Sequence, residues 1–353
     1  MTIPENTIAL GKEVAIASID KELHRLWEQD DARTNASLTN LAVYSEHPGG
    51  LEKNTQIIQS ITREHACRSI LIGMDRESPE TSITAWITAH CHLAHGRKSV
   101  CCEQLSFHLT GRATGRLRNT VFAHLNSDLP LVFWWQGELS DIFSDRLYTL
   151  INRFIFDSAE WEKPAEGFAK VATASQASRS FFAFDLAWMR SHSWRLSLAA
   201  LFDDPLALAS LPKTKELNIT AHRNQRTTAL FVLAWITQQA GWKRSLELDI
   251  AADGDVFHFE TQEGSEVVAK VSYDETSPLS EVELIAPNCK VRLHRNPDSE
   301  YLHQEICAGD HCIGQRAPAG ADDPAQLLTD QLALGTKNTL YSKILPSMLE
   351  LLG

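Results

Sequence analysis

Residues 129–156 read LPLVFWWQGELSDIFSDRLYTLINRFIF, with an apolar segment on either side of an amphipathic one. The run Leu129–Trp135 is short and continuously apolar, which predicts a buried strand. The apolar residues between 143 and 151 recur at three-to-four spacing and predict a helix. Phe154–Phe156 predicts a second short strand. Strand, helix and strand in this order are typical of an α/β layer with a parallel or mixed sheet.

The same alternation of helices and buried strands extends through about the first 170 residues. We therefore predict an N-terminal α/β domain over residues 1–170, with a mixed or parallel sheet and flanking helices. From Ser245 onward, short segments of alternating apolar and polar residues are separated by turn sequences such as Asp-Gly and Asn-Pro. This pattern indicates an antiparallel meander, and two helical segments follow it. Residues 171–353 are accordingly predicted to form an α+β C-terminal domain.

The composition argues against two classes of partner. The 353 residues carry a formal net charge of −12, which repels the phosphate backbone of nucleic acids. The most apolar helical stretch, Thr228–Ile236, is too short to span a bilayer. Residues Met1–Lys12 lack the basic start and apolar run of a secretory signal. We therefore expect a cytoplasmic protein that binds neither nucleic acid nor membrane.

The motifs of the common cofactor and catalytic sites are missing from the sequence. It has no G-x-G-x-x-G loop for a dinucleotide, no G-x-x-x-x-G-K-[ST] loop for a nucleoside triphosphate and no G-x-S-x-G nucleophile elbow. These motifs belong at strand–turn–helix junctions of an α/β layer, which this chain is predicted to contain. The sequence therefore predicts no cofactor and no catalytic residue of these classes, and an unfamiliar kind of site stays open.

Seven cysteines allow three interpretations. Seven is an odd number and the chain is long enough to fold without covalent links, so reduced thiols are the default. The second interpretation is a redox switch, in which Cys101 pairs with Cys102, or Cys307 with Cys312, under oxidation. The third is a metal site, whose candidate ligands are His90, Cys91, His92, His95, Cys101 and Cys102. Because adjacent strand residues point to opposite faces, buried structural thiols are favoured over a metal site.

Tryptophan and arginine recur in two short segments. Trp134 and Trp135 end the first predicted strand, and adjacent strand residues face opposite sides, so we expect one in the core and the other free to be exposed. The second segment contains Trp188, Arg190, Trp194 and Arg195. Both residue types are enriched at binding hot spots, but tryptophan is mostly buried in any fold. A role in the core and a role at an interface both stay open.

A basic segment, Gly111–His124, suggests an alternative function. It is predicted to be helical, and it carries Arg112, Arg116 and Arg118 beside the end of a predicted strand. Guanidinium groups bind phosphate oxygens through paired hydrogen bonds, so these arginines would suit a sugar phosphate in a sensor or an enzyme. The other interpretation is a solvated basic helix face.

Two segments resemble the OpcA family of glucose-6-phosphate dehydrogenase assembly proteins. The first, residues 129–161, has an apolar strand ending in the tryptophan pair, then Asp145-Arg146, then a strand ending in Asp157-Ser158. The second, FDLAWMRSHSWRLSLAALFDDP at residues 184–205, is similar to the family segment D-L-x-W-x-R followed by W-R and L-F-D.

The resemblance implies a non-catalytic protein that binds glucose-6-phosphate dehydrogenase and promotes its active oligomer in the oxidative pentose phosphate pathway. It also implies that the matching residues either contact this partner or brace the surface that does. The candidates are Trp134, Trp135, Arg146, Asp157, Asp185, Trp188, Arg190, Trp194 and Arg195. Some members of the family are linked to redox control of the pathway, which agrees with the interpretation of Cys101, Cys102, Cys307 and Cys312 as redox thiols.

Overall fold

The chain divides into two compact units. The computed structural model describes residues 10–28, 33–35, 37–94, 98–251, 254–334 and 339–353. The first unit contains Met1–Asp185 and Pro324–Lys337, and the second contains Leu186–Asp323 and Asn338–Gly353. The predicted domain boundary at residues 170 and 171 falls inside the helix Pro164–Ala177, and this boundary stays a prediction.

Within the described residues, nine strands form one mixed sheet in the first unit. In chain order they are β1 (Lys12–Val14), β2 (Arg33–Asn35), β3 (Thr39–Ser45), β4 (Cys67–Asp75), β5 (Ile83–Ala94), β6 (Lys98–Thr110), β7 (Leu131–Trp135), β8 (Arg153–Phe156) and β9 (Phe182–Asp185). The order across the sheet is β1-β5-β6-β4-β3-β7-β8-β9, and β2 pairs with β6. The strands from β6 to β9 in this order run parallel to one another. Strand β5 pairs antiparallel with β6, and β1 pairs antiparallel with β5.

Helices flank this sheet. The α-helices of the first unit are Ile19–Glu28, Gly50–Ile61, Leu117–Thr120, Asp145–Tyr148, Pro164–Ala177 and Pro324–Ala333. Short 3-10 helices cover Ile16–Ser18, Gly111–Arg116, Phe122–His124 and Ser158–Glu160. The helix predicted between residues 143 and 151 is therefore limited to one turn. The helix predicted over Gly111–His124 is broken into three short pieces, Gly111–Arg116, Leu117–Thr120 and Phe122–His124.

Aromatic side chains from neighbouring strands fill the core of the first unit. Tyr44 of β3 stacks on Trp135 of β7, with ring centroids 4.0 Å apart. Phe156 of β8 stacks on Trp161 at 4.8 Å, and Phe154 lies 5.5 Å from Phe181. Large rings contribute most of the apolar area that a core removes from water, so these contacts hold the central strands together.

The second unit is built on a sheet of eight strands. In chain order they are β10 (Glu216–His222), β11 (Lys243–Ala251), β12 (Gly254–Glu260), β13 (Glu266–Asp274), β14 (Leu279–Ala286), β15 (Cys289–His294), β16 (Tyr301–Ala308) and β17 (His311–Pro318). Their order is β11-β12-β13-β10-β14-β15-β16-β17. All neighbours are antiparallel except β10 and β13, which run parallel.

The helices of the second unit include a strongly buried one. The α-helices are Leu186–Arg190, His192–Leu201, Pro205–Ser210, Arg226–Ala240 and Thr339–Leu351, and 3-10 helices cover Leu211–Lys213 and Arg223–Gln225. Ten of the fifteen residues of Arg226–Ala240 are buried. This helix ends at Gly241, whose φ of 67° is the left-handed conformation that glycine adopts without strain.

Both predicted fold classes are confirmed. The first unit is an α/β layer with a mixed sheet and flanking helices, and the second is an α+β unit with a largely antiparallel sheet. The strand β10 was not predicted; it precedes the meander in the chain and lies in the middle of its sheet. No helix in the described part of the chain is long and apolar enough to cross a membrane.

Candidate functional site

The tryptophan pair lies in the core of the first unit. Trp134 and Trp135 are both buried, so the expectation that one of them is exposed is wrong. Strand β7 lies between β3 and β8, and all five of its residues are buried, because the inner strands of parallel sheets are covered on both faces. Trp135 also donates a hydrogen bond from Nε1 to the Glu138 carbonyl (2.9 Å). Both tryptophans therefore belong to the core of the sheet, and their role as bracing or partner-binding residues stays a prediction.

The ends of β8 and β9 carry two of the predicted site residues. Asp157 is buried, and its carboxylate accepts a hydrogen bond from the Ala159 N–H (3.1 Å). Asp185 is buried as well, and its carboxylate accepts from the backbone N–H (3.1 Å) and the hydroxyl (2.6 Å) of Ser158. Each oxygen of the Asp185 side chain accepts one of these two hydrogen bonds, so Asp185 fixes the turn that follows β8.

Arg146 differs from the other candidates because it is exposed. It lies on the one-turn helix Asp145–Tyr148. A side chain in this position is accessible to a partner, and its assignment to an interface stays a prediction.

In the second unit, Arg195 stacks on Trp188. The guanidinium carbon lies 3.3 Å from the centroid of the indole ring. Arg195 also donates from Nε to the Ser191 hydroxyl (3.0 Å) and from Nη2 to the Trp188 carbonyl (3.2 Å). Burial lowers the pKa of Arg195 to about 9. The indole ring and two neutral acceptors stabilise this cation, and a desolvated cation–π contact contributes about 2 kcal/mol.

The two remaining candidates of the second segment are also buried. Trp194 has 2% of its surface exposed and Arg190 has 6%. Arg190 donates from Nη1 to Gln225 Oε1 (3.0 Å), which also accepts from the Thr228 hydroxyl (2.8 Å). These residues stabilise the fold, and a direct contact with a partner stays a prediction.

Two disulfides join directly opposed residues of antiparallel strands. Cys91 of β5 is bonded to Cys101 of β6, with Cα atoms 4.0 Å apart. Cys307 of β16 is bonded to Cys312 of β17, with Cα atoms 4.1 Å apart. The default interpretation of reduced thiols is therefore wrong for these four residues. The predicted pairing of Cys307 with Cys312 is present, and its response to redox conditions stays a prediction.

The predicted pairing of Cys101 with Cys102 is wrong. Neighbouring strand residues point to opposite faces, so Cys102 faces away from the Cys91–Cys101 bond. Cys67, Cys102 and Cys289 are buried and belong to neither disulfide. Burial raises the pKa of Cys102 and raises that of Cys67 to about 12. Buried thiols with raised pKa values are poor nucleophiles.

The candidate metal ligands are engaged with other groups. His90 Nε2 lies 2.8 Å from Gln104 Oε1, and His92 Nε2 lies 3.0 Å from the Thr62 hydroxyl. His95 lies outside the described residues. Among the residues that the structure does describe, no group of three or more His, Cys, Asp and Glu side chains is arranged to hold a metal.

A cleft of about 920 Å³ opens at the carboxyl edge of the first sheet. The loops that follow β3 and β4 form it, together with side chains of β5 and β6. Its lining residues are Leu10, Glu46, His47, Pro48, Gly49, Gly50, Leu51, Glu52, Gly73, Met74, Asp75, Arg76, Glu77, Trp86 and His108. This edge is where ligands bind in open α/β sheets, and pockets of about 300–1,000 Å³ are usual for them. We call this feature the acidic cleft.

Glycines allow the chain to form the acidic cleft. Gly49 has a φ of 72°, and the helix Gly50–Ile61 begins immediately after it. A Cβ at Gly73 would lie 2.9 Å from Leu51 Cγ, so only glycine lets this helix approach β4 so closely. The start of the helix and the end of β4 are thereby brought together as two sides of the cleft.

The acidic cleft is negatively charged. Glu46, Glu52, Asp75 and Glu77 line it, and the single lining arginine, Arg76, pairs through Nη2 with Asp141 Oδ1 at 2.6 Å. The Tyr44 hydroxyl donates to Glu46, and burial together with this carboxylate raises the pKa of Tyr44. A pyrophosphate in this cleft would face several carboxylates and no unpaired arginine.

The sequence analysis did not identify the acidic cleft. Its residues come from loops that are distant in the chain, so no local motif reports it. The available signal was the polar residues that directly follow two apolar runs, at Glu46 and at Asp75. Such residues share one edge of a sheet when the runs form parallel neighbouring strands. The predicted phosphate-binding residues Arg112, Arg116 and Arg118 are exposed and do not line the cleft.

Two family models match this chain. OpcA_G6PD_assem, which describes the N-terminal domain of a glucose-6-phosphate dehydrogenase subunit, matches residues 58–173. OpcA_G6PD_C, which describes the C-terminal domain of the same subunit, matches residues 183–345. The chain belongs to the OpcA family. The resemblance found in residues 129–161 and 184–205 is thereby confirmed.

Solved structures of other proteins are similar in fold to this OpcA protein. No curated protein matches the chain in sequence. KijD10, a 3-ketoreductase from Actinomadura kijaniata in complex with NADP and TDP-benzene, is 8% identical with a TM-score of 0.51, over 89% of this chain and 95% of that chain. An aldose-aldose oxidoreductase from Caulobacter crescentus is 10% identical with a TM-score of 0.49, over the same shares. At 8% identity the likeness to KijD10 shows a similar, Rossmann-like fold and carries no information about activity.

Proposed function

We propose that this OpcA protein is a non-catalytic partner of glucose-6-phosphate dehydrogenase that assembles and activates the enzyme in the cytoplasm, within the oxidative pentose phosphate pathway. The observation that carries the proposal is the match of both parts of the chain to domains of a glucose-6-phosphate dehydrogenase subunit. The negative charge of the acidic cleft supports it, because the carboxyl edge of this α/β sheet is poorly suited to the phosphates of NADP.

The proposed mechanism is a shift between states of the dehydrogenase. A protein that binds the active oligomer more tightly than the inactive form raises the population of the active oligomer by the ratio of the two affinities. The chain needs no reacting group for this activity. It needs a stable surface, and the buried Trp188, Asp185 and Arg195 supply the stability that holds such a surface in shape.

A titration of the cognate dehydrogenase tests the proposal. With increasing amounts of this chain, we expect the dehydrogenase activity to rise to a plateau and the enzyme to elute as a larger species in size-exclusion chromatography. The chain alone should not reduce NADP with glucose 6-phosphate. Unchanged activity and unchanged oligomer size across the titration would contradict the proposal.

We also propose that the disulfides respond to the redox state of the cytoplasm. Cytosolic disulfides are usually transient or regulatory. Cys307 is half-buried and Cys312 is exposed on the edge strand β17, whereas Cys91 is exposed but Cys101 is buried. A reductant therefore reaches both sulfurs of the Cys307–Cys312 bond and only one sulfur of the Cys91–Cys101 bond. Thiol labelling followed by mass spectrometry, during graded reduction of the folded chain, should show Cys307 and Cys312 labelled before Cys91 and Cys101. The opposite order would contradict this part of the proposal.

A further inference from the structure

Strand β17 leaves one edge of the second sheet open. Among the described residues it pairs with β16 alone, and the register continues without a shift over all eight of its residues. All but one of these residues are exposed, and the first five, His311–Gln315, include no lysine, arginine, aspartate, glutamate or proline. Charged residues, proline and bulges are the usual means of protecting a sheet edge from pairing. This part of the edge has none of them.

The other sheet edges in the described parts of the chain are poorly suited to a further strand. Strand β11, on the opposite side of the same sheet, has a shift in register between Arg244 and Leu248, and Arg244 donates a hydrogen bond to the Glu350 carbonyl. In the first sheet, β1 and β2 have three residues each and β9 has four. Short or bulged edges resist pairing, so β17 is the long and regular edge among them.

The backbone groups on the open side of β17 belong to every second residue. Cys312 lies opposite Cys307 with the two Cα atoms 4.1 Å apart, which is the short spacing of a non-hydrogen-bonded pair. The N–H and C=O of Cys312 therefore point away from β16, and those of Gly314 and Arg316 follow the same alternation. Together they form a row of donors and acceptors with which a further strand can pair.

Ile313 gives the same edge an uncovered apolar side chain. It lies directly opposite Ile306, and both belong to the face of the sheet that also carries the buried Leu302. Ile306 is 9% exposed, whereas Ile313 is 65% exposed, so the layer that covers this face ends at β16. A strand added to β17 would cover Ile313, because directly opposed residues of paired strands lie on the same face.

A second copy of β17 fits this edge when the two strands run antiparallel about a two-fold axis at Ile313. The two isoleucines then form a non-hydrogen-bonded pair, in which side chains lie closest, and Cys312 of each copy exchanges backbone hydrogen bonds with Gly314 of the other. The same register places Arg316 opposite Asp310 of the other copy. Both residues are exposed, and no ion pair joins either of them to another described residue. Opposite charges at facing positions favour this register.

We propose that two copies of this chain associate through β17, which pairs antiparallel with β17 of the second copy and joins the two eight-stranded sheets into one. An unrelated strand offers the backbone groups, but it does not by itself offer the match of Ile313 with Ile313 and of Arg316 with Asp310. The interface is smaller than the about 1,200–2,000 Å² of stable complexes, so we expect a dissociation constant of about 10–100 μM. The inference does not depend on the dehydrogenase.

Sedimentation equilibrium of the full chain tests the association, over concentrations from about tenfold below to about tenfold above this constant. The average mass should rise from 39.4 kDa toward twice that value. Ile313→Asp places two carboxylates opposite each other and should weaken the dimer about a hundredfold. The matched control, Leu206→Asp, adds the same charge at a position of the second unit that is 60% exposed, and it should associate like the wild type. A monomeric wild type, or equal association of the two variants, would overturn the proposal.

An exchange of charges tests the register. Arg316→Asp alone faces Asp310 of the other copy with a like charge and should weaken the dimer about tenfold. The double variant Asp310→Arg with Arg316→Asp restores opposite charges, so its dissociation constant should return to within about threefold of the wild-type value. A double variant that associates as weakly as Arg316→Asp alone would contradict a two-fold axis at Ile313.

The cognate dehydrogenase distinguishes a second copy from a strand of another protein. If the chain stays monomeric and Ile313→Asp binds the dehydrogenase at least about fivefold more weakly than Leu206→Asp, the edge receives a strand of the enzyme and the self-pairing proposal fails. If the wild type dimerises and the two variants bind the enzyme equally well, the self-pairing proposal holds beside the assembly function. If the wild type dimerises and does not bind the enzyme, the assembly function alone fails.

Discussion

The tryptophan and arginine segment of the second unit and the acidic cleft of the first differ in almost every property. Trp188, Trp194 and Arg195 are buried, and Arg195 is joined to Trp188 by stacking and by a hydrogen bond. The acidic cleft is open, polar and built from loops. The segment carries the resemblance to the family, yet its structure is that of a brace. The residues that identify a family from sequence are therefore not necessarily those that touch a partner.

The largest effect should come from removing a brace. Trp188→Ala deletes a buried indole that packs on Phe231 and supports Arg195, so the free energy of unfolding should fall by about 3–5 kcal/mol. Chemical denaturation measures it. Leu196→Ala, at a nearby position that is 60% exposed, is the control and should change stability by less than about 0.5 kcal/mol. Similar losses in both variants would refute the assignment of Trp188 as a brace.

A smaller loss is expected at the end of β9. Asp185→Asn keeps the size of the side chain but leaves one oxygen acceptor where Asp185 has two, each of which accepts a hydrogen bond from Ser158. The free energy of unfolding should fall by about 1–3 kcal/mol. Asp310→Asn, at an exposed turn, serves as the control. An Asp185→Asn variant as stable as the wild type would show that these hydrogen bonds are not what holds the turn.

The two candidate arginines should respond differently to lysine. Lysine lacks the planar fork of arginine, so Arg195→Lys loses its paired contacts with Ser191 and Trp188 and should cost about 1–2 kcal/mol of stability. Arg146→Lys changes an exposed side chain and should leave stability unchanged. Thermal unfolding of the two variants compares them directly. Equal melting temperatures would remove the distinction between a bracing and an exposed arginine.

The smallest expected effect is a change in pH dependence. Burial lowers the pKa of His90, so the unfolded chain binds a proton at a higher pH than the folded chain does. Stability should therefore fall as the pH drops from about 7 toward 5. His90→Asn should reduce this fall, whereas the exposed control His311→Asn should not. An unchanged slope of unfolding free energy against pH in His90→Asn would contradict the assignment.

The sequence predicted the fold where local patterns carry the information. The apolar run Leu129–Trp135 indicated a buried strand, and the alternating segments after Ser245 indicated the antiparallel sheet. It did not predict that both Trp134 and Trp135 are buried, because that depends on the strands that flank β7. It also did not predict the partner of Cys101, because the register of β5 and β6 places Cys91 opposite.

The candidate site was less predictable than the fold. Asp185 and Ser158 are 27 residues apart, and their contact depends on the parallel pairing of β8 and β9. The acidic cleft joins Glu46, Asp75 and Trp86, which no short sequence motif contains together. Its charge and shape exist only after four strands have paired.

Hydrogen–deuterium exchange of this chain, with and without a saturating amount of the cognate glucose-6-phosphate dehydrogenase, tests the central claim most directly. We expect slower exchange on adding the enzyme in exposed segments of the chain that bind it, and little change in the already protected strand β7. Identical exchange over the whole chain in the presence of the dehydrogenase would contradict the claim that this protein works through a surface that binds it.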